Sequence, residues 1–278
     1  MKERESQFKG KDGTSIGLMV YEPDQAASGI VIGVHGFAEY GLRYRGLAEQ
    51  FTKKGFSFYI HDQRGHGRTP GPRGVIRDYE DFLDDIDQLL ELVRAEHPGK
   101  PILYYGHSMG GNIALNHLIR RQPVGVVLGV ISSPWLHLHK ETPLFLIRLL
   151  EKLKGPDFTV ETKLHALSHD REYLKAIAVE ELYHKSISTH MAKGIMEAGL
   201  YALNHPMELK IPTLLMAAGE DLVVDTKAID HLAHSGNEQI LYLKWPGLYH
   251  ELHNEFQRDE VFSAVWDFVS ENLGDLKD

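Results

Sequence analysis

Pro101-Ile102-Leu103-Tyr104-Tyr105-Gly106-His107-Ser108-Met109-Gly110-Gly111 is the stretch whose reading decides the fold. Residues 101 to 105 form a run of branched and aromatic side chains with no polar alternation, as expected of a strand covered on both faces. Residues 109 to 121 read as a helix. Between them, Gly-x-Ser-x-Gly requires a sharp strand-to-helix turn that lifts the serine oxygen clear of the sheet, with glycines where a Cβ would collide with backbone. An ordinary glycine-rich turn is the bland alternative, and the strand-turn-helix context favours an activated serine over it.

Working outward, the same rhythm recurs on both sides. Phe8 to Val20 alternates around Gly10-Lys11-Asp12-Gly13, a hairpin signal. Gly29 to Val34 reads as a buried strand, 43 to 54 as a helix stopped by Gly55, and Phe56 to Ile60 as a strand. Asp78 is a plausible N-cap for an amphipathic helix with Phe82, Ile86, Leu89, Leu90 and Val93 on one face. Val124 to Ile131 and Ile211 to Met216 read as strands, 225 to 234 as a helix with Asp225 at its cap, 239 to 244 as a strand and 258 to 272 as a closing helix. Alternating strands and helices imply right-handed crossovers and a mostly parallel central sheet with helices on both faces, whose ligands lie beyond the carboxyl ends of the strands.

The rhythm lapses between Ser133 and Ile211. Residues 134–210 carry ten basic and ten acidic side chains, whereas the whole chain of 278 residues has 30 basic against 39 acidic and a net charge of −9. We therefore expect an α/β core over 1–133 and 211–278 and an inserted helical cap, or lid, over 134–210. Within the cap, Pro143 to Leu150 is apolar almost all round, so it covers a pocket or touches a membrane surface.

Composition excludes several classes. Hydrophobic residues at 42% and charged residues at 25% are ordinary for a globular chain. An acidic balance without a basic, aromatic-interleaved stripe argues against nucleic acid. No cysteine is present, which removes disulfides, thiolate metal sites and Cys nucleophiles and suits a reducing compartment. Met1 to Ser6 lacks the apolar run of a secretory signal, and no window approaches a membrane span, so the expectation is a cytoplasmic protein, at most peripheral at a membrane. His137-x-His139 and His231-x-x-His234 lack a carboxylate cluster beside them, and we expect no metal and no cofactor.

A serine hydroxyl needs a base, and the base needs a carboxylate to fix its tautomer. The strand Thr213 to Ala218 ends at Gly219-Glu220-Asp221, and Tyr249-His250 follows later, giving the chain order Ser, Asp, His. Ser108, Asp221 and His250 are the candidates, with Glu220 and Asp225 as rival acids and His253 as a rival base. Two backbone amides must face the developing oxyanion, and Met109 at the start of a helix and Phe37 after the Gly29 to Val34 strand are best placed. His35 is read as a packing histidine.

His35-Gly36-Phe37-Ala38-Glu39-Tyr40-Gly41-Leu42-Arg43-Tyr44 resembles the H-G-x-x-E-x-x-x-R-Y segment of monoacylglycerol lipases and related lysophospholipases. Asp62 to Thr69 resembles their D-x-R-G-H-G-x-S with Thr69 for serine, Gly106 to Gly111 matches G-H-S-M-G-G, and Tyr249 to Glu255 resembles their terminal histidine motif. The resemblance implies an α/β-hydrolase fold, with the triad and oxyanion roles on the residues already named. It also implies that Glu39, Arg43 and His253 hold the alcohol part of a monoacylglycerol. As a bland reading, Glu39 and Arg43 form a salt bridge at the loop-to-helix junction. The expected function is a serine carboxylester hydrolase acting on a small-molecule acyl ester. A lysophospholipase or short-chain carboxylesterase is the runner-up, and a non-enzymatic receptor on the same fold is the competing class. Epoxide and dehalogenase chemistry is disfavoured, since such relatives place Asp where this chain has Ser108.

Overall fold

Runs of branched and aromatic residues supply the strands. They are β1 (Lys2–Lys9), β2 (Ser15–Glu22), β3 (Gly29–Val34), β4 (Phe56–His61), β5 (Ile102–His107), β6 (Val126–Ser132), β9 (Thr213–Ala218) and β10 (Ile240–Trp245). In this computed structural model, which describes residues 1–140, 142–152, 158–159 and 163–274, they form one sheet in the order β1-β2-β4-β3-β5-β6-β9-β10. β1, β2 and β4 pair antiparallel, and every pairing from β4 to β10 is parallel. The hairpin is longer than its alternation suggested, because β1 starts at Lys2 in a largely exposed edge strand.

Each strand places alternate side chains on opposite faces, and the two faces collect different helices. Ile30, Ile32, Tyr59 and Tyr104 join one core with α2 (Glu80–Glu96), α3 (Met109–Arg120) and α7 (Thr226–Ala233). Val31, Phe58, Ile60, Leu103 and Tyr105 join the other with α1 (Arg45–Lys53) and α8 (Arg258–Gly274). Each such large apolar side chain removed from water contributes about 1.5–3 kcal/mol before entropy is charged against it. Asp78 lies one residue further out than expected, since Tyr79 is the cap residue of α2, but its carboxylate still accepts from the Glu80 amide at 3.0 Å. Asp225 caps α7 by accepting from the Lys227 amide.

The segment between β6 and β9 is not all helical. It holds α4 (Leu144–Lys152), α5 (Arg171–Ala178), α6 (Thr189–Asn204) and a two-stranded antiparallel ribbon of β7 (Phe158–Thr159) and β8 (Ser186–Ile187). Residues 141, 153–157 and 160–162 of the expected cap and 275–278 of the expected core lie outside the described residues. Two-residue strands leave no periodic trace, which explains why the ribbon was not anticipated. α6 lies tightly on α3. Gly199 approaches the Leu136 carbonyl so closely that a Cβ would come within 2.4 Å of it, and Asn112 and Asn116 donate to the Ile195 and Ala198 carbonyls at 3.1 and 3.0 Å. α4 differs from the pocket-covering expectation. Only Ile147 is buried on it, whereas Phe145 and Leu149 are 68% and 50% exposed.

At the β5–α3 turn, a Cβ on Gly110 would stand 2.0 Å from the Val34 carbonyl oxygen and 2.4 Å from that of His35, both backbone atoms that cannot swing aside. Gly110→Ala should therefore lower the unfolding free energy by about 1–3 kcal/mol or more, read as a lower urea midpoint. An unchanged midpoint would show that β3 and α3 are less closely apposed than described.

Candidate active site

Ser108 is the residue between β5 and α3, and its backbone sits at φ 54°, ψ −120°. A side chain other than glycine pays for that conformation, so the surroundings must hold it. They do so through three bonds: the Ser108 amide donates to the Ser132 carbonyl at 3.0 Å, and its own carbonyl accepts from Asn112 and Trp135 at 3.0 and 2.9 Å. The consequence is a hydroxyl raised above the carboxyl ends of β5 and β6.

His250 and Asp221 meet that hydroxyl. His250 Nε2 lies 2.9 Å from Ser108 Oγ, and its Nδ1 lies 2.8 Å from Asp221 Oδ2. Asp221 Oδ1 accepts from the Val223 and Val224 amides at 2.8 and 2.9 Å, fixing the carboxylate in the turn after β9. All three residues are buried. Burial disfavours the imidazolium, but the Asp221 charge and hydrogen bond outweigh it and hold the His250 pKa above its ordinary 6.5. The loop carrying His250 is pinned by Glu255, which accepts from the Tyr249 amide at 2.8 Å and from His169 Nδ1 at 2.9 Å.

The loop after β3 brings Gly36, Phe37 and Ala38 to the same cavity as Ser108. A Cβ on Gly36 would lie 3.2 Å from Ser108 Cβ and 2.7 Å from a Glu39 oxygen, so only glycine permits this approach. The Met109 amide is in the first turn of α3, where no intrahelical acceptor exists and the helix dipole favours negative charge. Glu39 braces the loop from below, since its Oε2 accepts from the Gly36 amide and the Tyr44 hydroxyl, both at 2.6 Å. Thr69 keeps the serine-like role of its motif, donating to the Asp62 carbonyl and accepting from the Gly17 amide.

Glu39 and Arg43 do form a salt bridge, and it is buried. Arg43 Nη1 is 3.2 Å from Glu39 Oε1, and Arg43 Nη2 is 3.1 Å from Glu251 Oε1, with the side chains of all three residues at most 4% exposed. Tyr173 of α5 donates to Glu251 Oε2 at 2.5 Å and accepts from Arg43, tying α5 to the His250 loop. Burial drives the Glu39 pKa up, whereas for Glu251 burial is outweighed by Arg43 and the pKa is lowered. Glu39, Arg43 and Glu251 all line the Ser108 cavity, but His253 does not. The short turn Leu252–Asn254 carries His253 onto Tyr44, with ring centroids 5.0 Å apart, and into a neighbouring cavity of about 480 Å³ with Tyr105 and Tyr173. There burial pulls its pKa down to about 4.

Glu39, Glu251 and His253 present ligand-type atoms all within 4.8 Å of one another, the one such metal-compatible group among the described residues. Arg43 already bridges the two carboxylates, so the donor set fits a guanidinium better than a metal ion. Glu251, Tyr173 and the Val223 and Val224 amides escaped the sequence reading. Glu251 stands inside the quoted terminal histidine motif and was legible as a residue, though not as a partner of Arg43. Tyr173 carries no motif at all.

Comparison with known proteins gives a consistent picture. The family model described as serine aminopeptidase, S33, matches residues 25–257. A monoacylglycerol lipase of Mycolicibacterium smegmatis is 30% identical over 275 residues, covering 97% of this chain and 98% of the relative. The phospholipase YtpA of Bacillus subtilis is 28% identical, covering 92% of this chain and all of the relative. Among solved structures, a soluble variant of monoglyceride lipase from Saccharomyces cerevisiae, in complex with a substrate analog, superposes with a TM-score of 0.84 at 22% identity. The match covers 97% of this chain and 94% of that one. The fold is that of the α/β-hydrolases.

His250 and His253, both buried, should titrate on opposite sides of 6.5. Followed by NMR, His250 should show a midpoint above 6.5 and His253 one near 4, and Asp221→Asn should drop His250 below 6.5 because its burial persists while the charge is gone. Since its folded pKa is raised, His250 contributes stability that is fully present below 6.5 and lost as pH rises through the folded value. A wild-type His250 midpoint below 6.5, or one unmoved by Asp221→Asn, would contradict the described contacts.

Proposed function

The chain belongs to the serine aminopeptidase S33 family of serine hydrolases, and from that premise we propose that it cleaves monoacylglycerols to fatty acid and glycerol through an acyl-enzyme. The observation that carries the proposal is the unbroken run from Asp221 through His250 to Ser108 Oγ, opening on a cavity with an apolar side and a polar side. Ser108 Oγ attacks the ester carbonyl while His250 Nε2 takes its proton, and Asp221 holds the imidazolium. The Phe37 and Met109 amides face the oxyanion. His250 returns the proton to the departing alcohol, then activates a water that releases the fatty acid. Water is the only co-reactant these steps need.

The two sides of the cavity fit the two parts of the ester. Phe37, Trp135, Leu138, Leu167 and Val223 line it for an acyl chain. On the other side, Glu39 Oε1 and Arg43 Nε are buried without a hydrogen-bond partner, an acceptor and a donor for the hydroxyls of glycerol. An amino terminus would need a carboxylate to itself, and Arg43 already engages both, so the ester reading is favoured over the peptidase in the family's description. Free space beside Ser108 is about 50 Å³, far below the volume of an acylglycerol, so substrate entry requires residues of the cap to move. The outward Phe145, Leu146 and Leu149 of α4 support a cap that meets a lipid surface while it opens. No helix among the described residues is long and apolar enough to cross a membrane. A lysophospholipase is the second reading, favoured by the similarity to YtpA.

Ser108→Ala should retain the fold, because a smaller side chain fits the turn. It should lose fluorophosphonate labelling and lower kcat on 1-acylglycerols by roughly 10³-fold or more. Assays of acylglycerols, lysophosphatidylcholine and short p-nitrophenyl esters check the substrate. Labelling with only slow short-ester turnover would reject the lipid assignment, and wild type that takes no label would leave the receptor reading.

A further inference from the structure

The alcohol side of the cavity is unusual in its charge. Arg43 is its single guanidinium, and it is met by Glu39 at 3.2 Å, by Glu251 at 3.1 Å and by Glu180 at 3.9 Å from its Nε. Of these, Glu39, Arg43 and Glu251 line the cavity, and no lysine lines it. Burial favours the protonated form of Glu39, whereas Glu251 is held ionised by Arg43. Even with Glu39 neutral, therefore, the charge of Arg43 is cancelled by Glu251, and Glu180 adds a further negative charge nearby. Arg43 Nε and Glu39 Oε1 make no hydrogen bond although each lies beside an opposite charge, so they leave one donor and one acceptor that hydroxyl groups can pair with, whereas a phosphate would meet a carboxylate.

We propose that Glu251 is a specificity-determining residue. By occupying Arg43, it restricts the pocket to esters of uncharged polyols and turns away esters whose alcohol carries a phosphate. This deepens the ester-hydrolase reading and rests on it. The physical basis is that a phosphate is recognised by an unpaired guanidinium fork, and here the fork is already filled by a carboxylate of like charge to the ligand. Tyr173 and Asn254 both bond Glu251 Oε2, at 2.5 and 2.7 Å, so the carboxylate cannot swing away to make room. Exclusion is thus built from a fixed repulsive element beside an attractive one.

The test compares 1-butyrylglycerol with 1-butyrylglycerol 3-phosphate, and their long-chain counterparts, in wild type and Glu251→Gln. The substitution keeps the shape and an oxygen acceptor while removing the charge. Wild type should prefer the neutral ester, and the ratio of kcat/KM for phosphorylated over neutral ester should rise by roughly tenfold or more in the variant, as loss of one close like charge predicts. A ratio that stays put, or two substrates losing activity equally, would overturn the proposal. If the variant folds poorly, wild type alone decides through inhibition: glycerol should compete with substrate and glycerol 3-phosphate should not, and equal competition by both would overturn it. Should wild type hydrolyse the butyryl pair but not the long-chain esters, the lipid reading fails while the charge test stands. Turnover of neither neutral ester would overturn both.

Discussion

A left-handed backbone at Ser108 is the constraint on which the rest of the site depends. A residue with a side chain at φ 54° persists only if its neighbours make every alternative worse. Here β6 supplies the Ser132 carbonyl, α3 and the loop after β6 supply the Asn112 and Trp135 amides, and Gly110 lets the first turn of α3 rest against the end of β3. That one turn therefore aligns three strands with a helix. The same contact brings the β3 loop, with Gly36 and Phe37, to within reach of the serine. The Ser108 hydroxyl and the loop amides beside it are positioned by one packing arrangement, so neither can be displaced without the other.

Around this turn the molecule buries an uncommon amount of charge. Glu39, Arg43 and Glu251 are nearly inaccessible, and removing one partner from such a set costs about 3–5 kcal/mol because the remaining charges are left without compensation. Replacing the set by apolar residues would cost far less, so stability alone does not explain it. Each member also has local work. Glu39 holds the Gly36 amide and Arg43 holds two carboxylates at once. Glu251 receives Tyr173 from α5. The network thus couples the loop after β3, the His250 loop and α5, three elements distant in the chain.

Much of this was legible in the residues. Strand and helix alternation, the Ser108 turn and the adjacent loop glycines follow from local rules: the period of apolar residues and the absence of a Cβ where backbones touch. The joining of Arg43 to Glu251 was not legible, since it spans 208 residues and depends on how two loops converge. The outward face of α4 was ambiguous for a related reason, as an all-round apolar helix does not say which side it buries. His253 shows the limit from the other direction. Its motif put it beside Glu39, and a ring nitrogen does stay within 4.8 Å of the Glu39 and Glu251 carboxylates, but the short turn stacks the ring on Tyr44 and opens it on the neighbouring cavity.

The close seating of α6 anchors the segment between β6 and β9 to the core. Buried Asn112 and Asn116 clamp the α6 backbone to α3, and Gly199 lets it touch the Leu136 carbonyl. This helix is accordingly part of the frame, and α4 rests on it through the Arg148–Glu197 and Lys193–Glu151 ion pairs. Ser188, the residue before α6, donates its amide to the Gly74 carbonyl, which fixes the start of that helix as well. Trp135, whose amide donates to the Ser108 carbonyl and whose own carbonyl accepts from Asn112, is thereby a wall held on both sides of its peptide, against which any occupant of the cavity must fit.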